Sequence, residues 1–173
     1  LTEIIENLLP RAFRRPVKEG KVDRVFQVAK SEWDASGEFG TGVKAALVTT
    51  LCSPDFLYLL EPNSGDSREL NEFELASRLS YFLWSTMPDE ALLERAEKGT
   101  LSKNLDQVIT RMLSDEKAEA VVEEFAAQWL KTKEFDRFSP DKGNYAAFYT
   151  NEFNGINEDM NREPLEFFRE LVR

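Results

Sequence analysis

The side chains here with the widest choice of chemistry are acids and arginines, because the chain has one cysteine and no histidine. Glu74 and Arg78 stand four residues apart in FELASRLSYFLW (73–84), on the one polar strip of an otherwise apolar helix. At that spacing they share a face. In one reading they form an ion pair that orients the helix, with Glu61 or Asp89 as other partners, since a buried arginine needs a carboxylate. In the other, Arg78 binds an anion or a partner. The structural reading is preferred. Trp84 and Trp129 could build an aromatic surface for a sugar or a protein, but each ends an apolar stripe, which favours core packing. Trp33 has less apolar support and is the better candidate for an exposed aromatic.

Carboxylate catalysis needs two acids facing one substrate, one with a raised pKa. Glu123 and Glu124 are neighbours on a helix and diverge, as do Glu72 and Glu74. Glu158, Asp159 and Glu163 suit an acidic helix surface as well as a cleft. No catalytic, cofactor-binding or metal-ligating residue is assigned. Covalent haem c attachment takes two thiols and a histidine, and most zinc sites draw on the same residues, so this stretch of chain lacks the ligands for either. Asn63, Asp66 and Glu69, and separately Asp136, Asp141 and Asn144, are oxygen ligands near glycines. Neither set follows the order of an EF-hand, and both read as solvated turns. No glycine-rich phosphate loop follows a strand, and a serine–histidine–acid constellation lacks its histidine.

The elements that must position these residues are helices. The 173 residues carry 22 Lys+Arg against 32 Asp+Glu, a net charge of -10, which argues against a nucleic-acid surface. The one basic run is Arg11, Arg14, Arg15 and Lys18, interrupted by Phe13 and Pro16, and it reads as neutralising a helix end. Cys52, among Leu47, Val48, Leu51 and Phe56, reads as a small core residue. No apolar run reaches the roughly twenty residues of a transmembrane helix. The start at Leu1, without methionine, and the stop within an amphipathic run suggest a piece of a longer chain.

A first helix spans 1–15, bent at Pro10 and ended by Pro16; a second carries Val22, Val25, Phe26, Ala29 and Trp33 to Gly37. Phe39 to Gly42 reads as a turn before a third helix, and Ser53-Pro54 starts a further one. The loop 62–68 is the best internal boundary. Beyond it, Asn71 and Glu74 have capping-box spacing and Leu70 and Leu75 staple spacing. Pro88 is expected at N1 of the next helix and Gly99 at its C-cap. A continuous stripe, Ala118, Val121, Val122, Phe125, Ala126, Trp129 and Leu130, follows, then turns at Pro140 and Gly143. A last helix carries Met160, Phe167, Phe168 and Leu171, kinked or restarted at Pro164. This predicts an all-α, irregular bundle of about seven to nine helices in two adjoining modules, 1–62 and 69–173.

ELASRLSYFLW (74–84) followed by Ser85, Pro88 and Asp89, then Arg111–Asp115 (RMLSD), Phe125 and Gln128-Trp129-Leu130, resembles a domain of unknown function, DUF1592-like, found in large planctomycete cytochrome-associated proteins. RAFRRP (11–16) and the segment Ser53, Pro54, Phe56, Leu57, Tyr58 and Glu61 resemble the small DUF1595-like domain that precedes it. Relatives place an arginine after the tyrosine of that segment, where this chain has Leu59, so no contact of that arginine carries over. The resemblance implies further domains, among them a haem c domain in the parent protein and sometimes a carbohydrate-binding-like module, and a periplasmic or exported location. It implies no reaction. The expected role is a non-catalytic scaffold or docking module in a larger exported, haem-associated protein. Its partners would be neighbouring domains of the same polypeptide, a haem c domain or a redox partner, with no nucleic acid. The alternative is part of an enzyme or carbohydrate-binding assembly completed by other domains.

Overall fold

The structure, a computed structural model, describes residues 1–18, 20–59, 69–132, 134, 141–149 and 156–172, and among these it is all-α, without strands. They fall into two compact units, Leu1–Arg78 with Pro88–Lys103, and Leu79–Met87 with Asn104–Arg173. The division falls inside one helix, after Arg78. The expected boundary loop at 62–68, including Asn63 and Asp66, lies outside the described residues, as do Glu61, Asp136 and Pro140.

In the first unit, α1 (Thr2–Phe13) buries Ile5, Leu9 and Phe13, one helical stripe, against Val25 and Ala29 of α2 (Lys21–Ser36) and Ala46 of α3 (Phe39–Leu51). Pro10 is accommodated inside α1, which stops before the expected residue 15 because Arg14 turns left-handed at φ 58°. Gly37, at φ 73°, ends α2 by donating its N–H to the Trp33 carbonyl at 2.8 Å. Phe39 to Gly42 is no turn but the first turn of α3, entered from an extended Glu38, with the Phe39 ring edge-on to Trp33 at 5.1 Å. Gly42 permits the close approach of α2 and α3. A Cβ there would lie 2.9 Å from both the Ala29 carbonyl oxygen and Trp33 Cβ.

Cys52 is exposed, contrary to the core reading. Its sequence neighbours Leu47, Val48 and Leu51 lie on the outer face of α3, whereas Gly42, Ala46 and Thr50 form the buried one. After it, Ser53 Oγ accepts from Asp55 N at 3.3 Å and starts α4 (Pro54–Leu57). Arg14, only 6% exposed, clamps the far end of that short helix. Its Nη2 donates to the carbonyls of Asp55, Phe56 and Tyr58 at 2.9, 3.1 and 3.3 Å, the backbone acceptors a helix end leaves open.

The capping box forms as expected at α5 (Glu72–Trp84): Glu74 N donates to Asn71 Oδ1 and Asn71 N to Glu74 Oε2, each at 2.9 Å. In α6 (Glu90–Glu97), Asp89 takes the N-cap, accepting from Leu92 N at 2.8 Å, so Pro88 sits one place ahead of the cap rather than at N1. Gly99, at φ 63°, follows the C-cap Lys98. Ser102 does not cap the next helix. Glu72 accepts from Leu101 N at 2.7 Å and from Ser102 N at 3.2 Å and is bonded by the Ser102 hydroxyl, which seats Leu101 fully buried.

The second unit is built on Trp84 and α7 (Leu105–Leu113). Trp84 Nε1 donates to the Met112 carbonyl at 2.9 Å, and Arg111 and Lys117 lie over its ring at 5.4 and 4.6 Å. Asp115 caps the short turn Glu116–Ala118. The next stretch departs from its expected winding: Val121–Ala126 is π-helical and runs into α8 (Ala127–Trp129). Longer i→i+5 bonds put more residues in each turn. The buried positions accordingly run Ala118, Val122, Ala127 and Thr132. On this stretch packs α9 (Ile156–Val172), which passes through Pro164 without restarting.

Candidate functional site

The wider winding decides what the second unit shows to solvent. Trp129, expected in the core, is 65% exposed, whereas Trp84 is 3% exposed. An ordinary α-helical stripe would bury Phe125 and Trp129 with Val121 and Val122; the π-helical turn rotates them outward and buries Ala126 and Ala127 instead. A row of aromatic rings results. Phe82 meets Phe125 edge-on at 5.0 Å, Phe125 stacks on Trp129 at 5.8 Å and 21°, and Trp129 meets Phe168 edge-on at 6.5 Å. Such offset and edge contacts are the favoured ring geometries. Phe167 and Leu171, one turn apart on α9, add exposed apolar surface at 67% and 68%.

Arg169 holds α9 to the helix that carries this row. Its Nε donates to Glu119 at 2.9 Å and its Nη2 to Glu123 at 3.1 Å, and it also pairs with Glu166. Hydrogen bonds from Glu119 and then Glu166 hold its guanidinium well above the ordinary arginine range. Hydrogen bonding to Arg169 and Arg162 likewise lowers Glu166. A hollow of about 510 Å³ beside it is lined by Thr110, Asp115, Glu119 and Val122. With its charge taken by carboxylates, Arg169 serves as a tie rather than an anion receptor.

The first unit carries a cleft of about 550 Å³ between α1 and α6. Pro10, Pro16, Val17, Val22, Phe73 and Leu93 supply its apolar lining, Arg11 and Arg15 charge one side, and Glu90, Glu94 and Glu97 charge the other.

Of the residues singled out by sequence, Glu74 is buried in its capping box, Asp89 caps α6 and Arg78 is exposed, all in the first unit. The second carboxylate oxygen of Glu74, Oε1, is buried without a hydrogen-bond partner among the described residues. Trp84 and Trp129 belong to the second unit. Sequence reasoning missed Arg14, Glu72 and Arg169. Only Arg169 had a local signal, Glu166 one turn earlier; the others act over contacts distant in sequence. Among the described residues no group of three or more acids or thiols is placed to hold a metal, and no helix is long and apolar enough to cross a membrane.

A family model described as PSD4, protein of unknown function (DUF1592), matches residues 70–173. The chain belongs to the DUF1592 family. A second model, PSD5, protein of unknown function (DUF1595), matches residues 1–61. No curated protein and no solved structure matches the chain. The DUF1592 segment holds the whole aromatic row and the Arg169 tie, and the DUF1595 segment holds the Arg14 clamp. The cleft draws its lining from both segments.

Proposed function

We propose that the chain is a non-catalytic helical docking module of a larger exported, haem-associated protein. The observation that carries this reading is the exposed aromatic row from Phe82 to Phe168. Contiguous apolar surface of this kind marks interaction sites, and aromatic side chains are enriched where proteins meet. The row is also held rigid, its rings packed on one another and α9 tied by Arg169, so little freedom is lost on docking. Haem association and export rest on the resemblance of the ELASRLSYFLW and RAFRRP motifs. The partners are neighbouring domains of the same polypeptide, a haem c domain foremost. The test is Trp129→Ala with Phe167→Ala in the parent protein. Truncating two anchors should weaken capture of the separately expressed haem domain by at least tenfold, about 1.4 kcal/mol or more. The melting temperature should stay within about 2 °C, because both residues are exposed. Unchanged capture sinks the docking reading.

The exposed Trp129 indole also favours a second reading, an assembly that binds carbohydrate or completes an enzyme site, since a flat indole can stack on a sugar ring. Binding of the parent protein to insoluble polysaccharides, lost in Trp129→Ala, would support it. Activity of the parent protein abolished by Arg78→Ala, with folding unchanged, would point to the enzyme form of that reading.

A further inference from the structure

We propose that the cleft between α1 and α6 binds a short peptide segment presenting an apolar side chain between an acidic and a basic residue. This site is separate from the aromatic row and does not depend on the docking reading. Its volume, about 550 Å³, lies within the roughly 300–1,000 Å³ that encloses a small ligand. Val17, Val22, Phe73 and Leu93 are each half-buried, so the lining still presents apolar surface to water. Covering that surface is the driving force for an apolar side chain.

The charges decide the rest of the ligand. Arg11 and Arg15 stand on the side formed by α1 and its exit, whereas Glu90, Glu94 and Glu97 recur at helical spacing along α6. Arg11 is exposed, and among the described residues no ion pair joins it to any of the three glutamates. Glu94 pairs instead with Lys98 of its own helix, at 3.2 Å. The two charged sides therefore remain separated across an apolar floor, and a ligand that spans them answers both. A fatty acid would meet the three glutamates, and a long-chain amine would meet the two arginines. A peptide with its acid toward Arg11 and its base toward α6 meets neither penalty. Glu6, also on the lining, adds to the preference for the basic residue. Because Arg11 and Val17 come from the DUF1595 segment and Phe73 and Leu93 from the DUF1592 segment, the site exists only where the two adjoin.

The experiment is an NMR titration of the 173-residue chain with two blocked tetrapeptides, acetyl-Asp-Phe-Leu-Lys-amide and its reverse order. Acetyl-Asn-Phe-Leu-Gln-amide, decanoate and decylamine serve as controls. One charged peptide should give saturable shifts at the amides of Val17, Val22, Phe73 and Leu93. The neutral peptide should bind at least tenfold more weakly, as should the charged peptide to Arg11→Glu and to Glu90→Gln with Glu97→Gln. These three positions are exposed, so the variants should keep the wild-type far-UV circular dichroism; Arg11→Gln replaces any that does not. The proposal is overturned if neither charged peptide gives saturable shifts at the cleft. It is equally overturned if the neutral peptide or either amphiphile binds as tightly, or if the folded variants bind like wild type.

Discussion

Replacing Arg14 separates two effects that the structure places on one residue. The side chain is buried and its Nη2 serves the carbonyls at the end of α4, two of them within 3.1 Å. Hydrogen bonds from a charged donor contribute about 1.5–3 kcal/mol each, and a nitrogen with two hydrogens satisfies two carbonyls well. The backbone meanwhile holds φ at 58°, a left-handed conformation that costs a non-glycine residue roughly 1 kcal/mol. Arg14→Ala loses the bonds and keeps the strain. Allowing for water reaching the freed carbonyls, it should cost about 3 kcal/mol. Arg14→Gly loses the same bonds but relieves the strain and should be more stable than Arg14→Ala by about 1 kcal/mol, even though glycine usually lowers stability. At about 2–4 °C per kcal/mol for a chain of this size, Arg14→Ala should melt roughly 6–12 °C early. Urea unfolding at pH 7, followed by far-UV circular dichroism, measures both differences, and hydrogen exchange at Phe56 to Tyr58 reports whether the α4 end opens first. A loss below about 0.5 kcal/mol in Arg14→Ala would refute the clamp, a value typical of a neutral surface change. A glycine variant no more stable than the alanine variant would refute the strain.

Gly42→Ala should destabilise by about 1–2 kcal/mol, because a clash with the Ala29 carbonyl and Trp33 Cβ outweighs roughly 1 kcal/mol of helix propensity; a raised urea midpoint would contradict the close α2–α3 approach. Acid should weaken the first unit. The hydrogen bond from Lys21 leads in lowering Asp55, while burial pushes Glu72 up and is outweighed by hydrogen bonds from Ser102 and Leu101, leaving it lowered as well. Depressed acids stabilise fully above their ordinary values, 4.5 for Glu72 and 3.8 for Asp55, and lose that contribution as pH falls through the lower folded values. The melting temperature should therefore drop below about pH 4.5, and Glu72→Gln and Asp55→Asn should each flatten that acid limb; an unchanged limb in both would remove these carboxylates from the account.

Helix ends with short-range chemistry were legible in the sequence. The Asn71–Glu74 box, the Ser53 cap and the left-handed glycines at 37 and 99 each depend on bonds or torsions within a few residues. Two motif sets, RAFRRP with the serine–proline segment and ELASRLSYFLW with RMLSD, also sufficed to resemble the two families that match the chain. Where an α-helical period was assumed, the reading failed at one place: a π-helical turn shifted the stripe, so Trp129 faced solvent and Ala127 the core.

By itself, then, the sequence determined that this chain is helical, where most helices begin and end, and which residue types it has for chemistry. Only the tertiary structure decided that Cys52 is exposed, that Arg14 and Glu72 hold segments distant in sequence, and that aromatic rings from three helical stretches form one row. The reason is range. Propensity, caps and period act over one or two turns, whereas burial depends on which other helix arrives at a face, and that is settled by packing across many residues.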